Sequence, residues 1–353
     1  MSSIRPLKRQ DRLELQSIWE RVFMDSREFT DWYFENRFFP EYGICAEIDG
    51  RIASVCHIMP CKINVRGVLL PCGLINGVAT LPEYRRKGLM KDCLAALHTS
   101  LKSKGVFIIS NTPVNADIYR PFSYAPVCEK TVICERGCRK MPCGLSDVTL
   151  KDAAEDIFNM YSKLFGKYSG MLFRSRSDML NRCADWQTDD ARVLVHKGSG
   201  YAVYHEDGER IVSNEILADS KPAYRCLLDG LLHLSRGKEV HAEFPPSGGI
   251  FGNASLKASA CIIDPQSVLD ALDLPFKFAV KLTDMFNAEN NGVFYIGKQS
   301  SLPDACMSAA EFTQWIFGYR DFNELNADIL NPEACGILRE KTERLDCYNT
   351  DEY

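Results

Sequence analysis

The chain has 353 residues, of which 46% are hydrophobic and 25% charged, a composition typical of folded globular proteins and sufficient for two or three domains. Its formal net charge of −5 provides no bulk electrostatic footprint for nucleic acid, and no apolar run is long enough to span a membrane. The first ten residues carry charges where a secretory signal peptide needs an apolar core. We therefore expect a cytoplasmic protein without nucleic-acid partners.

The first elements in the chain are two helices followed by a strand meander with turns that contain glycine. The apolar spacing predicts the helices at residues 13–23 and 28–38, and the strands at 44–48, 51–59 and 68–80.

Residues 85–90, Arg-Arg-Lys-Gly-Leu-Met, lie where this last strand gives way to a helix over 91–101. Main-chain N–H groups at a helix start have no intrahelical partner, and beside fixed positive side chains they form a cradle for pyrophosphate. Gly88 lets a phosphate approach the main chain without a Cβ in the way. The alternative is a basic helix start without a ligand, although Arg and Lys oppose the helix dipole there. A short strand over 106–110 follows.

A second copy of the same plan is predicted from about residue 145. Its elements are a helix at 152–166, strands at 191–196, 200–205 and 210–216, a helix at 224–234 and a strand at 239–244. The position of the cradle holds Asp219, which would repel a phosphate. We interpret this copy as one that keeps the fold without the cofactor; the alternative is a generic α/β pattern.

The segment Pro-Pro-Ser-Gly-Gly at 245–249 predicts a boundary before a third region. That region is predicted to contain strands at 258–263, 276–282 and 292–297, and helices at 266–272, 308–319 and 321–330.

The fifteen cysteines and six histidines are scattered along the chain. The tightest cysteine cluster, Cys134, Cys138 and Cys143, has no nearby histidine that could complete a zinc site. The pattern favours reduced, buried thiols and predicts no metal.

Taken whole, the chain resembles the enhanced-intracellular-survival (Eis) family of GNAT acetyltransferases. The family's acetyl-coenzyme A motif, Arg/Gln-x-x-Gly-x-Gly/Ala, is similar to Arg85-x-x-Gly88-x-Met90, in which Met90 replaces the final small residue. Residues 118–124, Ile-Tyr-Arg-Pro-Phe-Ser-Tyr, look like the family's Ile-Tyr-Gly-Arg-Phe-Gly-Tyr. Residues 168–174 are similar to its Gly-x-Leu-x-Arg stretch, and the acidic–aromatic end, Glu-Tyr, is also typical.

The resemblance implies an α/β (α+β) protein with tandem GNAT-like domains built on central mixed sheets. The first, at 1–137, would bind acetyl-coenzyme A, and the second, at 138–250, would be degenerate. A small sterol-carrier-protein-like domain at 251–353 would end in a tail that returns to the active site. The family often forms hexamers, so we expect a homo-oligomer.

The cofactor would occupy two adjacent stretches of the first domain. The thioester would lie against the end of the strand, where a main-chain group can meet the oxyanion. The predicted cofactor-binding residues are Val78, Ala79, Thr80, Arg85, Arg86, Lys87, Gly88, Leu89 and Met90.

Acetyl transfer from a thioester to an amine also needs a proton donor for the leaving thiolate. A phenol, with a pKa of about 10, suits that task. By resemblance the donor is Tyr124; Tyr119 is a second phenol on the same segment. The alternative for Tyr124 is a packed residue whose hydroxyl is satisfied.

The acceptor amine would meet acidic groups. By resemblance the C-terminal carboxylate of Tyr353 organises the amine, and Glu352 shares the acceptor site. Asp25 and Glu28 are further candidates for an acidic wall, with a solvated helix end as the alternative. His57, the rival base, lies in an apolar strand, where a structural role is more usual.

The predicted function is direct acetyl transfer to a primary amine of the aminoglycoside, polyamine or lysine type. One alternative is a non-catalytic module that binds acyl-coenzyme A or a lipid, in which Trp315 and its neighbours would line a pocket rather than a core. Another is an assembly protein that acts through an exposed tail.

Overall fold

The computed structural model describes residues 2–297 and 302–351. Within these ranges the strands, β1 to β16, are Ser2–Pro6, Gly43–Ile48, Arg51–Val65, Val68–Thr80, Ile108–Asn111, Ala125–Arg136, Leu145–Thr149, Arg192–His196, Gly200–Asp207, Arg210–Ala218, Glu239–Phe244, Asn253–Ile262, Phe278–Thr283, Gly292–Ile296, Ala305–Ser308 and Asp328–Ile329. The α-helices, α1 to α9, are Arg12–Val22, Arg27–Asn36, Leu89–Lys102, Leu150–Phe165, Arg176–Gln187, Lys221–Leu234, Pro265–Leu272, Ala309–Phe317 and Pro332–Lys341. No helix in the described part of the chain has the length and apolarity needed to cross a membrane.

The chain forms two compact units, each built from separate stretches of sequence. The first contains residues 2–127 and 258–345, and the second contains residues 128–257 and 346–351. The mixed α/β class predicted from the sequence is confirmed. The three predicted domain ranges stay a prediction.

The first unit is organised around a sheet in the order β1-β2-β3-β4-β5-β12. Its first four strands are antiparallel, β4 and β5 are parallel, and β12 closes the row antiparallel to β5. The turns at Asp49-Gly50 and Arg66-Gly67 have positive φ at both residues, which matches the twist of two-residue hairpins. The predicted meander is therefore confirmed.

Helices cover both faces of this sheet. On one face α1 and α2 bury Trp19, Tyr33 and Phe34 against β2, β3 and β4. Trp19 lies so close to β4 that a Cβ on Gly77 would come within 1.7 Å of its ring. On the other face α3 packs its apolar side on Ile58, Ile75 and Ile109, among other residues. This α3 face also receives the 118–124 segment.

The first unit also contains a small sheet in the order β14-β13-β15-β16, with α8 beside it. Trp315 is 1% exposed and packs edge-on against Phe278, Phe312 and Phe322, so it belongs to a core rather than to an open pocket. The helix predicted over residues 321–330 was wrong. Gly318 ends α8 in a left-handed conformation, and the following chain forms β16, which pairs with β15.

The second unit repeats this plan with the sheet order β6-β11-β10-β9-β8-β7. Its parallel pair, β10 and β11, corresponds to β4 and β5, and α6 stands where α3 stands in the first. The predicted second copy therefore exists as a fold. At its cradle position Asp219 forms an ion pair with Lys163, with 2.7 Å between Oδ2 and Nζ.

The closing strand of the first sheet comes from beyond the second copy in sequence, and that of the second sheet precedes its own copy. In the first unit β5 pairs with β12, which follows the second copy. In the second unit β11 pairs with β6, which follows the first copy. Neither β6 nor the β5–β12 pairing was predicted from the sequence.

Residues 346–351 are part of the second unit. The Tyr348 N–H donates to the Ser169 carbonyl and the Ser169 N–H donates to the Asp346 carbonyl. The Tyr348 ring is fully buried beside Tyr168. Arg174 donates to both Glu215 oxygens at 2.8 and 2.9 Å and to Asp351 Oδ1 at 2.9 Å. The guanidinium is 4.4 Å above the Tyr161 ring. We call residues 346–351 the docked tail.

Candidate active site

The loop between β4 and α3 has the backbone geometry of an anion site. Arg86 and Gly88 adopt left-handed conformations, with φ of 62° and 81°. Helix α3 then begins at Leu89 without a side chain capping its N-terminus. The first N–H groups of α3 thus have no intrahelical partner, and they face a loop whose turns favour anion binding.

Positive charge surrounds this helix start. Arg85, Arg86 and Lys87 are exposed, and a Cβ placed on Gly88 would meet no atom within 4 Å. Arg85 Nε donates to the Thr80 carbonyl at 3.1 Å, which fixes that guanidinium at the end of β4. The Met90 side chain packs in the α3-side core, so its contribution to the loop is its main chain.

The strand that leads into the loop has an open edge. Pairing of β4 with β5 runs from Cys72–Ile108 to Leu74–Ser110 and then ends. Beyond that point β3 is the one described strand that is hydrogen-bonded to β4. The β5-side edge at residues 78–80 can therefore hydrogen-bond to an extended ligand, as sheet edges do.

The bulge in β4 lies just before this open edge. Opposite His57 and Ile58 of β3 stand Gly77 and Ile75, so Asn76 is the inserted residue. Gly77 faces Trp19, while Val78 packs toward α3. The bulge therefore turns the β4 side chains before it and after it toward the α3 face.

Tyr124 is deeply buried, at 3% exposure, and its hydroxyl is 3.1 Å from His98 Nε2. His98 Nδ1 lies 2.9 Å from Asn287 Oδ1, and the Asn287 amide nitrogen donates to Asp284. Because the Asn287 oxygen accepts, Nδ1 must carry the imidazole proton and Nε2 must accept from Tyr124. The Tyr124 proton is thus already directed at His98.

Burial controls the protonation of this pair. It lowers the pKa of His98 to about 4 and raises the pKa of Tyr124 well above its usual range. Both groups are neutral at pH 7, consistent with the hydrogen-bond directions.

Tyr119 is the more accessible of the two phenols. Its ring centroid is 5.5 Å from that of Tyr124, and its side chain is half-buried. Burial raises the pKa of Tyr119 above the usual value for a phenol. The segment therefore brings two phenols together on the α3 face.

The other predicted site residues lie elsewhere or outside the described ranges. Asp25 and Glu28 are exposed on the segment of α1 and α2, whose helices cover the face opposite α3. Glu352 and Tyr353 lie outside the described residues. His57 is structural, because Tyr33 and the Phe39 N–H occupy its two ring nitrogens, and burial lowers its pKa to about 3.

Three polar residues near the end of the β4–β5 pairing were not predicted. They are His98 on α3, Asn76 on β4 and Asn111 on β5, and all three are buried. A buried polar residue inside an apolar run is itself informative, because burial of an amide without a partner is costly.

The sequence of the first domain matches a known family. Residues 3–127 match the model of the acetyltransferase (GNAT) domain. This stretch is a GNAT acetyltransferase domain. The chain is an acyltransferase through this domain, and the predicted GNAT resemblance is confirmed.

The whole chain is similar in fold to solved GNAT structures. Eis1 from Mycobacterium abscessus matches with a TM-score of 0.76, 16% identity and 100% of each chain covered. A conserved protein of unknown function from Enterococcus faecalis V583, a probable N-acyltransferase, matches with a TM-score of 0.79, 16% identity and 100% of each chain covered. A GCN5-related N-acetyltransferase from Anabaena variabilis matches with a TM-score of 0.80, 14% identity and 100% of each chain covered. No curated protein matches the sequence.

Proposed function

We propose that the chain is an acetyl-coenzyme A-dependent N-acetyltransferase that passes the acetyl group directly to a primary amine. The observation that carries the proposal is the uncapped start of α3 behind the left-handed Arg86 and Gly88. A helix start of this kind, ringed by cations, suits a pyrophosphate.

The donor would extend from this loop along the open edge of β4. Its pyrophosphate would lie on residues 85–90, with the three cations adding charge. Its thioester would lie against residues 78–80, where main-chain N–H groups can stabilise the oxyanion of the tetrahedral intermediate. The neutral amine attacks the thioester carbonyl, the carbon–sulfur bond breaks, and the thiolate takes a proton from a phenol. The nitrogen loses one proton to solvent as the amide forms, and the phenol regains one from solvent.

The proton donor in this proposal is a phenol of the 118–124 segment. The resemblance points to Tyr124. The hydrogen bond from Tyr124 to His98 and the greater accessibility of Tyr119 favour a division of roles. In that division Tyr119 meets the thiolate, and Tyr124 with His98 holds the segment in place.

The acceptor side of the proposal rests on the resemblance. The amine would be of the aminoglycoside, polyamine or lysine type, and the Tyr353 carboxylate with Glu352 would attract and organise it. Asp25 and Glu28, beside the helices of the opposite face, stay a prediction from the sequence. The resemblance also underlies the expectation of a homo-oligomer, a hexamer in that family, while the scattered cysteines underlie the expectation of a cytoplasmic location.

The test is thiol release from acetyl-coenzyme A in the presence of a panel of polyamines and aminoglycosides. We compare the wild type with Tyr119→Phe, Tyr124→Phe and a chain that lacks Tyr353. Tyr224→Phe is the matched control, because it removes a buried hydroxyl that pairs with Tyr168 in the second unit.

Loss of the acid lowers kcat about 100-fold or more, so the phenol whose removal has that effect is the donor. If kcat falls only a few-fold in Tyr124→Phe but by about 100-fold or more in Tyr119→Phe, the division of roles is supported. Full turnover without Tyr353 removes the terminal carboxylate from the mechanism. Tight coenzyme A binding without release by any amine favours a non-catalytic binding module.

A further inference from the structure

Three buried polar side chains meet where β4 and β5 separate. They are Asn76 on β4, Asn111 on β5 and Ser259 on β12, and they are 4%, 2% and 1% exposed. Neither amide atom of Asn76 or of Asn111 has a hydrogen-bond partner in the described structure, and the Ser259 hydroxyl also lacks one there. A buried amide without a partner costs about 1–3 kcal/mol, so such a group needs an explanation.

The strand register places the three residues together. Leu74 and Ser110 form the last β4–β5 pair, and Asn111 directly follows that pair on β5. On β4 Ile75 directly follows that pair, and Asn76, the inserted residue of the bulge, comes next. Ser259 stands directly opposite Asn111 in the β5–β12 ladder.

Two of the side chains belong to the α3 face of the sheet, and the third lies between two residues of that face. Ile109 and Cys261 pack toward α3, and side chains two residues apart in a strand share a face, so Asn111 and Ser259 point the same way. Asn76 is the inserted residue of the β4 bulge, between Ile75 and Val78, which both pack toward α3. Tyr119 and Tyr124 pack into the same core as these apolar neighbours.

The position along β4 indicates which part of a ligand these groups would meet. In the proposed function the donor enters from the loop at 85–90 and its thioester lies at 78–80. Asn76 is about 7 Å beyond Val78, on the side away from the loop. What continues past the thioester in that direction is the acyl group.

We propose that Asn76, Asn111 and Ser259 form a polar acyl pocket that selects short acyl groups carrying a hydroxyl or carbonyl. This inference rests on the proposed function, since it assumes an acyl-coenzyme A donor. A purely hydrocarbon acyl chain would leave the two amides without partners. An acyl group with its own hydrogen-bonding atom would satisfy them, and sites built for such an atom discriminate strongly against analogues that lack it.

The test is calorimetric binding of butyryl-coenzyme A and of both enantiomers of 3-hydroxybutyryl-coenzyme A, without an acceptor amine. The two acyl groups differ by one hydroxyl. We expect the wild type to bind one hydroxylated enantiomer about tenfold or more tightly than butyryl-coenzyme A. The Asn76→Leu and Asn111→Leu variants are expected to lose or reverse that preference.

The thermal stability of the variants distinguishes a ligand pocket from a structural role of the two amides. Since the two amides have no described protein partner, replacing either with leucine is expected to hold or raise Tm in the absence of ligand. Asn290→Leu is the matched control, because the Asn290 amide nitrogen donates to Ile262 O and Asp284 Oδ2. That variant is expected to lower Tm and keep the acyl preference.

Equal binding of the two acyl groups by the wild type would overturn the inference and leave the proposed function standing. A lowered Tm with unchanged preference in the two leucine variants would also overturn it. If free coenzyme A and every thioester fail to bind the wild type, the proposed function itself fails.

Discussion

Gly88 and Gly105 have the same backbone conformation at opposite ends of α3. Their φ angles are 81° and 73°, and a Cβ on either would meet no atom within 4 Å. A side chain at either position therefore causes backbone strain without a clash. Only Gly88 lies in the proposed pyrophosphate loop.

Substitution of these two glycines distinguishes strain from ligand binding. We expect Gly88→Ala and Gly105→Ala each to lower the free energy of unfolding by about 1–2 kcal/mol. Only Gly88→Ala is expected to weaken coenzyme A binding, since it alters the loop that receives the phosphates. Urea unfolding and calorimetry check the two effects, and equal weakening in both variants would contradict the site.

His57 and His98 make stability depend on pH. Burial lowers their pKa values to about 3 and about 4, below the ordinary value of about 6.5. Below pH 6.5 the two histidines bind protons in the unfolded chain but not in the folded chain. Their contribution to the free energy of unfolding is therefore complete above that pH and declines as the pH falls toward 4. Over its full window His57 accounts for about 5 kcal/mol and His98 for about 3 kcal/mol.

We expect the free energy of unfolding to fall between pH 7 and pH 5, and His98→Gln to reduce that slope. Urea titrations at several pH values measure it. His233→Gln is the control because His233 is not buried. An unchanged slope in His98→Gln would mean that His98 is accessible to protons in the folded state.

Local chemistry explains which site residues were predictable. The loop at 85–90 could be identified because its charge, its glycine and its helix start are contiguous. The partner of Tyr124 could not, because His98 is 26 residues away and the pair forms only when α3 packs on the sheet. Asn287, which hydrogen-bonds to His98, is 189 residues away from it in sequence, so no local pattern could indicate that contact.

At the scale of elements, the docked tail has the character of a core segment. Tyr348, Asn349 and Thr350 are fully buried, and Arg174 joins the tail to Glu215 of β10. The ion pairs of Arg174 were not predicted.

Two truncations separate the stability role of the tail from its proposed catalytic role. Removing residues 346–353 is expected to lower the free energy of unfolding by about 3–5 kcal/mol or more, since burial of the Tyr348 ring alone has that size. Removing residues 352–353 retains Tyr348, Thr350 and Asp351 with their contacts, so a smaller loss is expected. Urea unfolding measures both, and an equally stable longer truncation would contradict the core role.

Elements with clear alternation or apolar stripes were predicted well, and polar ones were missed. Strands β2 and β4 and helix α3 follow their patterns closely. Strand β6 was missed because Glu129, Lys130 and Glu135 interrupt it, although Lys130 finds a partner in Glu243 on β11. Helix α5 was missed because Arg182 and Asp185 are among its few buried residues.

At the scale of the whole molecule, the GNAT domain is incomplete without a distant segment. Residues 258–262 of β12 cover the edge of β5, and Asn287 fixes the tautomer of His98. A fragment that stops at residue 137 lacks both. Its apolar β5 would be left as an exposed edge strand, which favours aggregation.

We therefore expect residues 2–137 alone to aggregate. A chain in which residues 2–127 are joined by a flexible linker to residues 258–345 is expected to be soluble and to unfold cooperatively. Size-exclusion chromatography and thermal melting compare the two. A monomeric, cooperatively melting 2–137 fragment would show that β12 is dispensable.

The late position of β12 in the sequence has a consequence for how the protein is made. Strand β5 is synthesised about 140 residues before β12. At about 5–20 residues per second, the edge of β5 therefore stays unpaired for roughly 7–30 s. During that interval two nascent chains on one messenger can pair through the same edge. Slower translation of the intervening stretch is thus expected to yield less soluble protein from an unchanged sequence.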